Sequence, residues 1–188
     1  ESHYDIASAL IKSIRGSDPN AAVYYLARML AGGEDPKFIA RRLIISASED
    51  IGLANPTALV IANETFAAVE RIGMPEGRIP LAQCVVYLAS CAKSNATYEA
   101  INRAMQAVKE HGDLPVPLAL RNAPTALMDE MGYGKGYQYD HAASANFSGQ
   151  EFMPQGLEGV PFYDPGENPR EEAFRKDLRE KWKAKYGY

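Results

Sequence analysis

Helix punctuation repeats along the first 112 residues, and no other feature constrains the fold as tightly. Asp18-Pro19, Asp35-Pro36 and Asn55-Pro56 each supply a capping side chain followed by a ring whose φ is already helical. Gly16, Gly32-Gly33, Gly52, Gly73 and Gly112 stand where a helix would stop. Between the marks, apolar residues recur at helical spacing, as in Ile6, Leu10 and Ile14, or Phe38, Ile39, Leu43 and Ile45. A fifth segment carries Pro75 and Pro80 near its start and predicts a helix from about Pro80. A sixth places Tyr98, Ile101, Met105 and Val108 on one stripe. No run alternates strictly with period two, so strands are not required. The expectation is an all-α bundle of six helices joined by short loops.

The second, fourth and fifth helices are apolar around much of their circumference, which suits a central position or a subunit contact. Hydrophobic residues make up 46% and charged residues 23%, ordinary for a globular protein, so packing decides more than charge does. A net charge of −4 gives no global field to attract nucleic acid and leaves only local patches. No apolar run approaches the roughly 18 residues of a membrane span, and Cys84–Ala92 is too short, so no membrane partner is expected. The opening segment is amphipathic, without a signal-peptide core or an initiating Met, and reads as part of a longer cytoplasmic protein. Cys84 and Cys91 are seven residues apart on one helix, about 10 Å by helical rise, too far to pair and expected reduced.

After His111 the composition changes. Residues 113–168 hold six of the twelve prolines and seven of the fifteen glycines, so only Ala123–Gly132 keeps a helical pattern there. Phe147, Phe152, Met153, Leu157, Val160, Phe162 and Tyr163 are too apolar for a solvated tail, which predicts an arm anchored across the helical body. A final helix, capped by Asn168, sets Phe174, Leu178 and Trp182 on one stripe. The division expected is a helical domain over 1–112 and, over 113–188, an irregular aromatic-rich arm with a short helix and a terminal amphipathic helix packed on it.

Candidate chemistry is sparse. Gly132, Gly134 and Gly136 follow a helix, whereas a phosphate loop needs its glycines before one, so Gly132 reads as a helix stop. A Walker A pattern is absent from the sequence. His3, His111 and His141 lie far apart, and no Cys/His pair has ligand spacing, so neither a metal nor a catalytic residue is assigned. Glu49-Asp50 closes a helix two turns after Arg42, suggesting an Arg42–Glu49 ion pair rather than a catalytic carboxylate. Lys93 suits the end of the fifth helix, and Ser94 or Asn95 the start of the sixth. Arg121, Lys135, Tyr137 and Tyr139 form the alternative, a surface for DNA or a protein partner in which tyrosines stack on bases. The last helix would assist, with seven Lys/Arg against four Asp/Glu between Arg170 and Lys185.

Three strings carry a resemblance: "ARMLAGGEDPKFIARRLIISASEDIGLANP", "IGMPEGRIPLAQCVVYLASCAKSNATYEAI" and "VPLALRNAPTALMDEMGYGKGYQYDH". Together they resemble the C-terminal part of the replication-associated recombination protein A family, the bacterial RarA or MgsA ATPases and their Werner-helicase-interacting relatives. The similarity runs from about Asp18 to Tyr163. Cys91-Ala92 stand where the family pattern has a proline, so the fifth helix is expected to run slightly further. The resemblance implies an AAA+ ATPase related to clamp loaders, with ATP and Mg held by an N-terminal module that this stretch lacks. It implies that the helical part is similar to the clamp-loader collar and forms the oligomerisation domain of a homotetramer. It further implies that the full-length protein acts at stalled replication forks, with DNA and single-strand-binding protein as partners, and is nucleoid-associated.

Overall fold

The structure is a computed structural model that describes residues 3–188. All regular structure among them is helical: α1 (His3–Arg15), α2 (Pro19–Ala31), α3 (Pro36–Ser46), α4 (Thr57–Ile72), α5 (Arg78–Ser90), α6 (Ala96–His111), α7 (Ala126–Glu130) and α8 (Pro169–Trp182). None of these helices is long and apolar enough to cross a membrane.

The helix starts follow from their caps. Asp18 Oδ1 accepts from Ala21 N at 3.0 Å and Asp35 Oδ1 from Lys37 N at 2.9 Å, with Pro19 and Pro36 beginning α2 and α3. Asn55 behaves differently. Its Nδ2 turns to the Tyr87 hydroxyl at 2.8 Å, so it ties α5 to the start of α4 instead of capping α4. Asn168 caps α8 in both directions: Oδ1 accepts from Glu171 N at 3.0 Å, and Nδ2 donates to Glu171 Oε1 at 2.8 Å.

Contacts divide the described residues into two compact units. The first takes the chain as far as Ala100 and regains it at Pro165–Ala173. Its α5 packs against α1, α2 and α4, and α3 packs against α4. Leu10, Ile14, Ile39, Leu43, Ile51, Leu81, Val85 and Leu88 are essentially sealed from solvent in the middle. Each such aliphatic side chain contributes about 1.5–3 kcal/mol on leaving water. The second unit holds Ile101–Asp164 and Phe174–Tyr188. The composition changes after residue 112, whereas this contact boundary falls inside α6.

The arm's aromatic residues do not each reach a sealed core. Phe147, Met153, Leu157, Val160, Phe162 and Tyr163 are half-buried, and Phe152 is exposed. They belong to the second unit, where Phe147 meets Trp182 edge-on at 5.0 Å and Lys185 lies over Trp182 at 4.6 Å. A chain this rich in Pro and Gly offers few regular helix faces, so its apolar side chains gather in local clusters.

Candidate functional site

In the first unit, α3 ends in a π-helical turn, Ala47–Ile51, followed by Gly52. The wider turn swings the acidic pair toward α1. Arg15 Nε donates to Asp50 Oδ1 at 2.7 Å and Nη2 donates to Glu49 Oε2 at 3.1 Å. Asp50 is buried and also accepts from Ser46 Oγ at 3.0 Å. The hydrogen bond to Asp50 holds the Arg15 guanidinium above its ordinary pKa.

The expected Arg42–Glu49 pair is therefore replaced by Arg15–Glu49. Seven residues of helical rise separate Arg42 from Glu49 by about 10 Å, beyond a direct contact for most rotamers. Arg42 instead borders a groove with Tyr4, Ile11, Lys12 and Phe38.

The turn between α5 and α6 closes the same region. Ser94 N donates to the Asp50 carbonyl at 2.8 Å. Lys93 Nζ donates to the Ala89 carbonyl at 3.0 Å, to Ser17 Oγ at 3.1 Å and to the Cys91 carbonyl, so it caps the end of α5. Burial lowers its pKa. Helix α5 stops at Ser90, without the expected extension, because Cys91 is already extended, with φ −72° and ψ 153°. Arg15, Glu49, Lys93, Asn95 and Tyr98 line a cavity of about 420 Å³ here. Arg15, Asp50 and Lys93 are each held by neighbours in the chain, so the arrangement is a clasp between α1, the π-helical turn and the α5–α6 turn. Both cysteines are free thiols, and burial pushes Cys84 up to about 11 and raises Cys91. Neither has the depressed pKa of a nucleophilic thiol.

The second unit holds the other named residues. Gly132 ends α7 with φ +90°, and Tyr133 N donates back to the Met128 carbonyl at 3.1 Å. Arg121 is turned inward: its guanidinium lies 4.8 Å from the Tyr133 ring, and Nε donates to the Val116 carbonyl at 2.8 Å. Lys135, Tyr137 and Tyr139 are exposed, with Tyr139 tilted against His141 at 5.4 Å. Arg121 is thus engaged within the chain, whereas the other three side chains stand exposed. On α8 and just beyond it, Arg175 pairs with Asp164 at 3.1 Å, Lys181 with Asp177 at 2.9 Å and Lys185 with Glu151 at 2.8 Å. Arg179 Nε donates to the Tyr188 carbonyl at 2.8 Å. Four of the seven basic side chains are thereby engaged within the chain.

Exposed apolar residues form a further feature, outside the clasp and the tyrosine loop. Val60 on α4 and Ile79 and Val86 on α5 face outward, although both helices also face the core. On α6 the whole stripe of Tyr98, Ile101, Met105 and Val108 is exposed. Its spacing showed that a stripe exists, but nothing in the spacing showed which way it would face.

Among the described residues, then, all regular structure is helical, a polar clasp ties α1 to the π-helical turn, and α4, α5 and α6 leave apolar side chains in water. The chain belongs to the family described as MgsA AAA+ ATPase C terminal, which it matches over residues 16–182. It is 52% identical over 166 residues to a replication-associated recombination protein A of Coxiella burnetii, covering 88% of this chain and 38% of that protein. The protein of the same name from Escherichia coli K12 is 45% identical, over 86% of this chain and 36% of its own length. ATPase WRNIP1 of Dictyostelium discoideum is 42% identical, over 87% of this chain and 19% of its own length. The chain thus spans well under half the length of these relatives, and its match is to a C-terminal region without the ATPase module.

Proposed function

We propose that this region is the assembly domain of a clamp-loader-like AAA+ ATPase and holds its copies together as a homotetramer. One observation carries the reading: α4 and α5 pack into the core on one side and present Val60, Ile79 and Val86 to solvent on the other. A helix that is apolar on its outer side as well as its core side suits a face that another surface covers. A symmetric assembly would fix several ATPase modules at constant spacing, so that a change in one is felt by its neighbours. ATP and Mg would be held in those modules. The whole protein would act in replication and recombination, as its relatives' names state, with DNA and single-strand-binding protein as partners near the nucleoid. Light scattering tests the assembly. A mass about four times the 20.6 kDa of one chain at micromolar concentration is expected, and a monomer mass throughout would refute it.

Exposure of Tyr137 and Tyr139 favours a second reading, in which the 132–141 loop stacks on single-stranded DNA beside Lys135. Salt-dependent binding of single-stranded DNA that disappears in Lys135→Ala/Tyr137→Ala would support it. Binding unchanged in that variant, or none at low salt, would refute it.

A further inference from the structure

The groove that Arg42 borders runs between α1 and α3, inside the first unit, with a volume of about 370 Å³. On α1 its wall is Tyr4, Ala7, Ile11 and Arg15, at steps of three and four, with Lys12 beside them. On α3 it is Phe38 and Arg42, one turn apart. The two helices run in the same direction: the His3 ring lies 5.3 Å from that of Phe38 at one end, and Arg15 reaches Asp50 at the other. Tyr4 and Phe38 therefore stand at one end of the groove and the cations further along it, over a floor that includes the buried Ile11. No carboxylate lines it. Glu34, near the aromatic end, is taken by His3, and Arg15 by Asp50 and Glu49. Among the described residues, Lys12 and Arg42 have no ion-pair partner.

We infer that this groove docks an acidic segment of a partner protein. The segment sets one aromatic or large aliphatic side chain between Tyr4 and Phe38 and its carboxylates on Lys12 and Arg42. Charge selects the occupant. Two uncompensated cations in a groove without acidic lining attract carboxylates, and the Arg42 guanidinium can hold one bidentately. The aromatic end adds an apolar anchor, which charge alone does not supply. A nucleic-acid strand fits less well. It calls for cations spaced along a backbone, whereas here two share one spot on a chain of net charge −4. The site is separate from the assembly reading, because none of its residues lies on α4 or α5.

A random peptide library displayed on phage, selected against the whole chain, tests this, with recovered peptides then titrated by fluorescence anisotropy. Recovered peptides should carry Asp or Glu close to an aromatic or large aliphatic residue, and their binding should weaken as salt rises. Lys12→Glu/Arg42→Glu should weaken it at least about tenfold, and a peptide with its acids exchanged for Lys should bind that variant better than it binds wild type. Tyr4→Ala reads the apolar end, since Tyr4 is 79% exposed and its loss leaves the core intact. Far-UV circular dichroism confirms that each variant keeps its helix content. Recovered peptides without acidic residues, acidic peptides that bind the double variant as tightly as wild type, or no recovered peptide at all would overturn the inference. So would oligodeoxythymidylate that binds wild type and is lost in the double variant, which assigns the groove to nucleic acid. Light scattering keeps this test apart from that of the assembly. The double variant should retain the wild-type mass, and a fall in mass would make the groove a contact between copies and overturn the docking of a partner.

Discussion

Gly52→Ala should destabilise the first unit more than its size suggests. Gly52 follows the π-helical turn with φ +49° and ψ −132°, a backbone region that side chains rarely enter. Holding alanine there costs about 1–3 kcal/mol. A Cβ built on Gly52 would also lie 2.9 Å from the Ser94 carbonyl oxygen, and that oxygen belongs to a backbone fixed by the Ser94 N to Asp50 carbonyl bond of 2.8 Å. Relieving the overlap means shifting the α5–α6 turn, which adds about 1–3 kcal/mol. The sum, about 2–6 kcal/mol, corresponds to a fall in Tm on the order of 5–20 °C for a chain of this size. Gly73→Ala is the internal control: its φ is +66°, yet its Cβ would meet nothing within 4 Å, so it carries the conformational cost alone. Urea unfolding followed by circular dichroism measures both. Equal losses for the two variants would refute the argument, since the Ser94 overlap would then contribute nothing.

The remaining predictions concern the clasp and the core thiol. Arg15→Ala should lower unfolding stability by about 1–3 kcal/mol, because it leaves the buried Asp50 carboxylate without its cation. Arg42→Ala should lower it by less than about 1 kcal/mol; urea midpoints compare the two, and the reverse order would restore the Arg42–Glu49 pairing. Unfolded Cys84 ionises near 9.0 and the folded thiol only at about 11. Its contribution is therefore fully present below pH 9 and is lost as pH rises toward about 11, by about 2–3 kcal/mol. Cys84→Ala should lack that part of the alkaline decline, measured as urea midpoints between those pH values. In the native protein, an aromatic disulfide reagent at pH 8 should leave Cys84 unmodified until urea unfolds the chain.

The sequence by itself determined where most helices begin and end, because caps and stops act within one turn. Asp18, Asp35 and Asn168 bond amides two or three residues away, and Gly132 ends α7 through its own φ. Lys93 was legible as a C-terminal cap for the same reason. Its motifs were also long enough to carry the family. Only the tertiary structure decided what lies across from what. Arg15 and Asp50 are 35 residues apart, and a π-helical turn that no local spacing announced brings them together in place of Arg42 and Glu49. The Asn55 side chain reached the Tyr87 hydroxyl on α5 rather than its own helix, a partner 32 residues away that no local pattern shows. The α6 stripe shows the limit most clearly. Periodicity fixes which residues share a face, but the direction of that face depends on every other packed element, and here the chain covers the polar side and leaves the apolar one in water.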